Sequence, residues 1–340
     1  MRNPIPLLLG LATLLGCGTA RAADPWYTAD FLTLGTGAAA AAQGGAWGTS
    51  KASATSFYWN PALVLDERPI KLYAETVSLF DGLSTLQTAA AQLRLREHWA
   101  LSLGMQLQMD DGIPRYGDLL PGRDLRNPDD RSTGDPLGTF KSSSSALTAG
   151  ISREFWFDVL MGSGLVRNVL PSRLAVGASW RVINQDLDDV AASASGMDLG
   201  VKMIIQGPTS GGRPSPKELI LALSLQNIYS QDLEWDTGRA EALALNVKSG
   251  IAWRDRLASL PVGYRLALEK DSAWEGQWHL GSELDLFQSL FLRGGLQGEK
   301  LSSLDGTMGA GVRWKGVNVD YAFLAHDLGA SHRVSLELDF

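Results

Sequence analysis

The chain has 340 residues, of which 45% are hydrophobic and only 20% are charged. Its formal net charge of −7 argues against a nucleic-acid-binding protein, and its single cysteine excludes a disulfide framework and a multi-thiolate metal site. After Gly16 no apolar run approaches the ~20 residues that a helical membrane span needs, so a bundle of membrane helices is excluded as well.

The N-terminus has the features of an export signal. Arg2 provides a positive charge, residues 4–16 are apolar but too short to span a membrane, and Ala20-Arg21-Ala22 fits the small-x-small pattern of a signal peptidase site. The sequence therefore predicts a signal peptide over residues 1–22. Alternatively, the stretch ending at Cys17 resembles a lipobox, in which the signal ends before Cys17 and that residue is lipidated. Both alternatives export the chain from the cytoplasm of a Gram-negative-type bacterium.

Residues 23–68 show no strand pattern and form the next unit. Two glycine-rich stretches and an aromatic stretch supply its candidate residues: Gly35, Gly37, Gly44, Gly45, Tyr58, Trp59, Asn60, Pro61 and Ala62. The glycines do not indicate a phosphate-binding loop, because no buried strand precedes them and no βαβ unit follows. Close packing of the backbone inside a barrel accounts for them better, so we expect residues 23–68 to form a plug or hatch.

From residue 69 to the C-terminus, apolar residues alternate with small or polar ones. Every second residue from Trp99 to Met109 is large and apolar, for example, while the residues between them are alanine, serine, glycine or glutamine. A period of two is typical of a strand with one apolar face. The pattern predicts about fourteen strands of ~10–13 residues, roughly at 69–80, 83–95, 98–109, 144–154, 172–186, 195–206, 217–228, 243–254, 261–270, 276–286, 289–298, 305–314, 316–325 and 331–340.

Three features favour a membrane barrel over a soluble all-β array. Long strands with no helices between them leave two free sheet edges unless the sheet closes on itself. The polar face carries both signs of charge, as in Lys202 and Glu269. Aromatic residues lie near strand ends, as in interfacial girdles: Phe80, Trp99, Trp180, Trp253, Trp278, Trp314 and Phe340. The predicted fold is all-β, a closed antiparallel transmembrane β-barrel over residues 69–340, with the plug or hatch before it.

The last residue and the loops predict how the barrel sits in the outer membrane. A terminal aromatic residue such as Phe340 resembles the signal that the barrel assembly machinery reads. An even number of strands puts both termini in the periplasm, so the longest connection, residues 110–142, lies outside. Two inner connections are unusual: residues 155–171 are long and apolar and could form a short interfacial helix, and residues 207–216 form a Gly/Pro/Ser loop.

No motif predicts an enzyme, a metal site or a cofactor. Of the four histidines, only His279 lies in the middle of a predicted strand, on the polar face near Glu283, where a hydrogen-bonding role accounts for it. The histidines also lack metal-ligand spacing. The acidic residues of the outer loop match no known calcium-binding loop, so a solvated surface is favoured for them: Asp124, Asp129, Asp130 and Asp135.

The N-terminal unit resembles the start of the PorV/PorQ-type outer-membrane proteins, which are related to the FadL-type barrels. Family members resemble a GxGARAxGMGGA pattern followed by ASAxYWNPAGLA. This chain keeps the glycines at 35, 37, 44 and 45, and residues 58–62, but it lacks the usual arginine and methionine within 39–43 and has Leu63 in place of a glycine. Further matches extend the resemblance over nearly the whole mature chain: 174–179, 197–200, 225–228, 234–236 and 320–336.

The resemblance implies an outer-membrane barrel with one of two functions. PorV-like proteins bind secreted cargo proteins, which here implies a partner-binding extracellular rim with the 110–142 loop as its first candidate. FadL-like proteins pass hydrophobic small molecules, with the N-terminal segment as a hatch and a lateral opening in the wall. An apolar pocket around residues 57–59 and Leu63 would fit that role, and a plug packed on the lumen wall is the alternative for these aromatic residues. The resemblance favours the partner-binding role slightly. An open porin is a third alternative, against which the N-terminal unit and the mixed lumen charges argue.

Overall fold

The structure is a computed structural model. It describes residues 28–50, 53–64, 68–95, 98–116, 136–162, 168–208, 215–257, 260–272, 276–326 and 328–340. The predicted signal peptide, Cys17 and the four outer-loop aspartates therefore lie outside the described residues.

Helical structure within the described residues is short and lies before the third strand. A 3₁₀ turn spans Asp30–Leu34, α1 spans Ala38–Ala41, α2 spans Ser56–Trp59, and a second 3₁₀ turn spans Phe80–Gly82. None of these helices is long and apolar enough to cross a membrane. Single helical turns are not stable in isolation, so the N-terminal segment depends on the surrounding barrel for its conformation.

Sixteen strands join in one antiparallel sheet within the described residues. They are β1 (Ile70–Leu79), β2 (Ser84–Arg94), β3 (Trp99–Arg115), β4 (Gly138–Met161), β5 (Asn168–Leu187), β6 (Val190–Gln206), β7 (Glu218–Ser230), β8 (Leu233–Trp235), β9 (Ala240–Glu241), β10 (Asn246–Arg256), β11 (Val262–Asp271), β12 (Trp278–Leu286), β13 (Leu290–Lys300), β14 (Ser303–Trp314), β15 (Val317–Leu324) and β16 (Ser331–Asp339). The short β8 and β9 form a side hairpin on β6.

The other fourteen strands close into a barrel. Each pairs with its neighbour, β7 pairs with β10, and β1 pairs with β16 to complete the ring. The predicted number of strands, their direction and the closed topology are confirmed. Closure pairs every strand on both sides and so removes the free edges that a membrane does not tolerate.

The barrel has an inverted distribution of polarity. Charged residues of the predicted polar face, such as Lys202, Arg265 and Glu269, are buried, while Leu103 and Val312 on the opposite face are 53% and 55% exposed. A soluble protein buries its apolar face, whereas a membrane barrel turns that face to lipid. The protein is therefore an outer-membrane β-barrel of a Gram-negative-type cell. We call the end where β1 begins and β16 ends the periplasmic end, because its turns include the short Lys315-Gly316.

One predicted connection is wrong. Residues 155–171 contain no interfacial helix in their described part. β4 continues to Met161 and β5 starts at Asn168, and the two strands stay paired from Phe155 opposite Leu174 to Met161 opposite Asn168. The β-branched and aromatic residues of this stretch favour strand structure once a partner strand is present. The 110–142 connection is also shorter than predicted, because β3 reaches Arg115 and β4 begins at Gly138.

Candidate functional site: the barrel lumen and its N-terminal segment

The described residues of the N-terminal segment, 28–50 and 53–64, lie inside the barrel. Its alanines at 38, 40, 42 and 46 have no exposed surface, and its backbone contacts inward-facing side chains from strands all around the wall. The segment is not a helical domain, because its helices have a single turn each. It is therefore a series of turns along the wall, and contacts with the wall hold its conformation.

Three wall carboxylates bind turns of the segment. Glu75 on β1 accepts a hydrogen bond from Gly37 N at 2.9 Å. Glu269 on β11 accepts hydrogen bonds from Gly48 N at 2.9 Å, Thr49 N at 2.8 Å and Thr49 Oγ1 at 2.6 Å. Glu337 on β16 accepts hydrogen bonds from Ala54 N and Ser53 Oγ, both at 2.8 Å. Charge-assisted hydrogen bonds of this kind are about twice as strong as neutral ones.

Wall cations bind the carbonyl groups of the same turns. Arg265 donates to Ala46 O at 2.9 Å and to Thr49 Oγ1 at 2.7 Å. Lys202 donates to Ser50 O at 2.6 Å, and Arg333 donates to Leu34 O and Gly35 O. The buried wall charges thus act as donors and acceptors for backbone groups of a segment that has little secondary structure of its own. Buried backbone groups need such partners.

His279 also contacts the segment. Its Nδ1 lies 2.6 Å from Gly44 O, and its Nε2 lies 3.2 Å from Asp271 Oδ2. The nearby Thr307 accepts a hydrogen bond from Gly44 N at 3.0 Å and donates one to Ala42 O at 3.1 Å. The structure thus places His279 in a hydrogen-bonding role inside the lumen, next to Gly44 rather than next to Glu283.

Wall glycines give the segment room. A Cβ added at Gly281 on β12 would lie 2.9 Å from Gln43 O, and one added at Gly250 on β10 would lie 3.0 Å from Thr49 Cγ2. Other wall glycines would overlap the segment outright if they carried a Cβ: Gly104, Gly177, Gly200 and Gly295. Because these glycines face inward on six different strands, the wall is shaped to let the segment's backbone approach closely.

The candidate glycines of the segment serve two different needs. Gly37 and Gly45 adopt positive φ angles of 102° and 78°, which only glycine adopts readily. Gly35 and Gly44 also have positive φ, and in addition a Cβ at Gly35 would lie 2.8 Å from the Trp59 ring and one at Gly44 would lie 2.6 Å from Leu296 O. Their roles here are turning and close approach.

The candidate residues at 58–62 anchor the end of the segment. The Asn60 side-chain amide donates to Val201 O and Leu223 O at 3.3 and 3.2 Å, and its Oδ1 accepts from Ala62 N at 2.8 Å. Tyr58 O accepts a hydrogen bond from the Gln226 side chain at 2.9 Å. Pro61 lies against Gly177 on β5. This short stretch therefore links the segment to β5, β6 and β7.

An aromatic cluster is buried inside the lumen, next to β1, β2 and β3. Trp47, Phe57, Tyr58 and Trp59 are each no more than 8% exposed and pack with Leu63. The rings of Tyr58 and Trp59 meet edge to face with centroids 5.2 Å apart, and Trp59 Nε1 donates to Thr36 O at 2.9 Å. The N-terminal segment supplies most of the cluster. It therefore brings a compact aromatic surface into a lumen whose wall carries both charged residues and apolar ones such as Ile204 and Ile220.

The extracellular end of the segment carries an unusual carboxyl group. Asp30 lies in the 3₁₀ turn near Glu241, and its Oδ1 is buried without a hydrogen-bond partner among the described residues. Burial, with Glu241 as the second cause, raises the pKa of Asp30 from 3.8 to about 6. Beside it, Thr28 Oγ1 donates to Glu241 Oε2 at 3.3 Å.

Phe340, the other candidate, lies at the periplasmic end. It is 58% exposed, and its backbone N donates to Ile70 O at 2.9 Å. The sequence did not predict which wall glycines adjoin the segment, nor which wall charge binds which turn of it. The alternation identified which residues face the lumen, but nothing in it tells which of them meets the segment.

Comparisons with known proteins find similarity only to solved barrel structures. No protein-family model matches the sequence, and a comparison with curated proteins gives no significant match. Among solved structures, similar ones include the Pseudomonas putida toluene transporter TodX, at 11% identity and a TM-score of 0.46 over 89% of this chain and 96% of that one. A Pseudomonas aeruginosa FadL homologue gives 11% identity and a TM-score of 0.46 over 90% and 98%.

CdiB from Acinetobacter baumannii is also similar, at 10% identity and a TM-score of 0.40, covering 81% of this chain but only 60% of CdiB. The chain thus spans less than two thirds of the length of CdiB. All three likenesses are too weak to carry an argument about function. The architecture described above rests on the strand pairing and the polarity of this chain itself.

Proposed function

We propose that this barrel transports hydrophobic small molecules across the outer membrane, with the N-terminal segment as a hatch that moves to open the lumen. The observation that carries this proposal is the aromatic cluster at 47 and 57–59, which is buried inside the lumen. A segment that only closed the lumen would not need an aromatic cluster, because the wall already offers polar contacts that hold it in place. The aromatic surface instead gives an apolar solute something to bind once the hatch shifts.

The way the hatch is held supports movement. Its contacts with the wall described above are hydrogen bonds to side chains and close backbone packing, rather than strand pairing. Hydrogen bonds to charged groups contribute ~1.5–3 kcal/mol each and neutral ones ~0.5–1.5 kcal/mol, because water can replace the partner. A hatch held by many such bonds is closed at rest and can still be released one turn at a time.

A disulfide that ties the hatch to the wall tests this proposal. A Cβ at Gly281 would lie 3.0 Å from Ala46 Cβ, near the ~3.5–4.5 Å between Cβ atoms in disulfides. We expect the double variant Ala46→Cys, Gly281→Cys to lose uptake of a hydrophobic solute when oxidised and to regain it after reduction. A matched control, Leu268→Cys with Leu280→Cys, joins two positions on the lipid-facing side of the wall that are directly paired on β11 and β12. It should retain uptake in both states.

Full uptake by the oxidised hatch-to-wall variant, with complete disulfide formation shown by mass spectrometry, would overturn the moving-hatch proposal. Loss of uptake in both disulfide variants would instead show that the wall itself must move.

A second candidate function is binding of a partner protein, such as a secreted cargo protein, at the extracellular rim. The observation in its favour is the tip of the β3–β4 ladder, where Tyr116 and Leu137 are 52% and 75% exposed on either side of residues 117–135. Adjoining exposed apolar residues mark interaction sites, and these two strand ends adjoin, because Leu137 N donates to Arg115 O at 2.8 Å. A polypeptide that co-purifies with the wild-type protein and is lost on deletion of residues 117–135 would support this role and the PorV/PorQ resemblance.

A further inference from the structure

One aromatic ring of the hatch fills a depression in the wall at Gly104. This glycine faces the lumen on β3, and a Cβ added to it would lie 2.1 Å from Phe57 Cζ and 2.9 Å from Cε1. The tip of the ring therefore occupies the space that a side chain would fill. Directly opposite Gly104 lie Ala90 on β2 and Thr148 on β4. We call the depression formed by Ala90, Gly104 and Thr148 the socket.

Four polar, uncharged residues surround the socket. Ser102 and Gln106 lie two residues before and after Gly104, so they face the same side of β3. Thr88 lies opposite Gln106 on β2, and Gln92 lies opposite Ser102. Diagonal neighbours in a sheet are about 7–8 Å apart, so all four residues adjoin the socket. We call Thr88, Gln92, Ser102 and Gln106 the frame.

Each frame residue has a buried polar atom without a hydrogen-bond partner among the described residues. These atoms are Thr88 Oγ1, Gln92 Oε1, Ser102 Oγ and Gln106 Nε2, and no frame residue is more than 7% exposed. Buried polar groups normally have partners. The hydroxyl groups can donate and accept hydrogen bonds, the amide oxygen accepts and the amide nitrogen donates. The hydrocarbon ring of Phe57 offers a hydrogen bond to none of them.

The hatch is held differently on the other strands. The hydrogen bonds to the hatch described above come from β1, β6, β7, β11, β12, β14 and β16, and many of them involve charged side chains. At the socket, the hatch meets β3 through an aromatic ring instead. This part of the wall therefore combines room for a ring with hydrogen-bonding groups that the resident ring does not use.

The charges on the neighbouring β1 argue against an anionic ligand. Glu75 lies opposite Thr88 and would repel a carboxylate. Lys71, the cation opposite Gln92, already donates to Asp339 Oδ1 at 2.9 Å. A buried charge needs a charged or hydrogen-bonding partner, and the frame itself carries no charge. An uncharged ligand therefore fits the frame, whereas a carboxylate does not.

On the proposed transport function, we infer that the socket binds the ring of the transported molecule and that Phe57 occupies the socket while the hatch is closed. The substrate class is a small uncharged ring compound with a hydroxyl or carbonyl group, such as a phenol. Its ring replaces that of Phe57 over Gly104, and its polar group bonds to frame atoms that Phe57 leaves without partners. These hydrogen bonds favour the position of the hatch in which Phe57 has left the socket.

Three ring compounds of similar size test the inference: p-cresol, toluene and p-toluate. We would measure their binding to the full-length protein in lipid nanodiscs by calorimetry, with empty nanodiscs as the background. p-Cresol should bind about tenfold more tightly than toluene, because it alone of these two can bond to the frame. p-Toluate should bind most weakly, because its charge has no partner at the frame.

Variants of the hatch test the socket. Phe57→Ala empties the socket and should raise the affinity for p-cresol about tenfold, because the resident ring no longer competes. Phe31→Ala is the matched control, since it removes another buried ring of the hatch that packs in a different cluster. It should leave the affinity for p-cresol within about twofold of wild type.

Variants of the wall test the frame. The double variant Thr88→Val, Ser102→Ala removes two frame hydroxyl groups and should reduce the preference for p-cresol over toluene to about twofold or less. Ser224→Ala is the matched control. Ser224 is also a buried serine whose hydroxyl has no partner among the described residues, but it lies on β7. Its removal should leave the preference unchanged.

The outcomes separate the inference from the function on which it rests. An affinity for p-cresol that does not rise in Phe57→Ala, or no binding of any probe to either protein, would overturn the socket assignment. Toluene that binds wild type as tightly as p-cresol, or a preference that survives in the double variant, would overturn the role of the frame. All these results leave the moving hatch standing, because uptake by the Ala46→Cys, Gly281→Cys variant tests it separately.

Discussion

Removing one wall carboxylate should loosen the hatch at a single turn. Glu269 accepts three hydrogen bonds from Gly48 and Thr49, at 2.6 to 2.9 Å, and lies 3.9 Å from Arg265. The Glu269→Gln variant keeps the shape but leaves one acceptor oxygen and no charge. Hydrogen bonds to a charged group contribute ~1.5–3 kcal/mol each, so loss of one of them should weaken local closure by ~1.5–3 kcal/mol.

Hydrogen exchange followed by mass spectrometry measures this effect directly. A loss of ~1.5–3 kcal/mol predicts roughly 10- to 150-fold faster exchange of the amides at 47–50, where exchange reports local opening. Asp320→Asn is the matched control, because Asp320 is also a lumen-side carboxylate but pairs with Arg293 of the wall. Exchange at 47–50 that is equal in wild type and Glu269→Gln, or that rises equally in Asp320→Asn, would refute the reasoning.

Two further predictions address the packing and the titration of the hatch. Gly295→Val should displace the hatch, because even a Cβ at this position would overlap the backbone of Gly44. Limited proteolysis should then cut residues 40–50 faster than in the wild-type protein. Gly306→Val is the control and should behave as wild type, because a Cβ at Gly306 has no atom within 4 Å. Since docking raises the pKa of Asp30 from 3.8 to about 6, docking is strongest below about pH 4 and weakens as the pH rises through about 6, with no further change above that. Protease protection of residues 28–40 should follow that curve, and Asp30→Asn should flatten it; a wild type that is protected better at pH 7 than at pH 4 would contradict the assignment.

The fold could be predicted from the sequence because the membrane imposes one strong pattern. Alternation along β3 and β16 predicts both the strand and its lipid-facing side. A closed barrel leaves none of fourteen such strands with a free edge. The prediction was wrong at 155–171 because a stretch such as Phe155–Met161 is apolar on both faces, so that its period is ambiguous until its partner β5 is known.

The site was less predictable because it depends on contacts between distant parts of the chain. The alternation placed Arg265 and Glu269 in the lumen, and the glycine and aromatic motifs marked residues 35–62 as unusual. That Glu269 meets Gly48, or that Gly177 makes room for Pro61, follows from barrel register and from the path of the hatch. Neither is encoded in local spacing.

Ion conductance in planar bilayers tests most directly whether residues 28–64 close the lumen. The wild-type protein should show little or no steady current, and deletion of residues 26–62 should produce large, stable single-channel currents, because it removes the segment that now occupies the lumen. Large, stable currents from the wild-type protein, or a deletion variant that folds as a barrel and remains silent, would contradict the account.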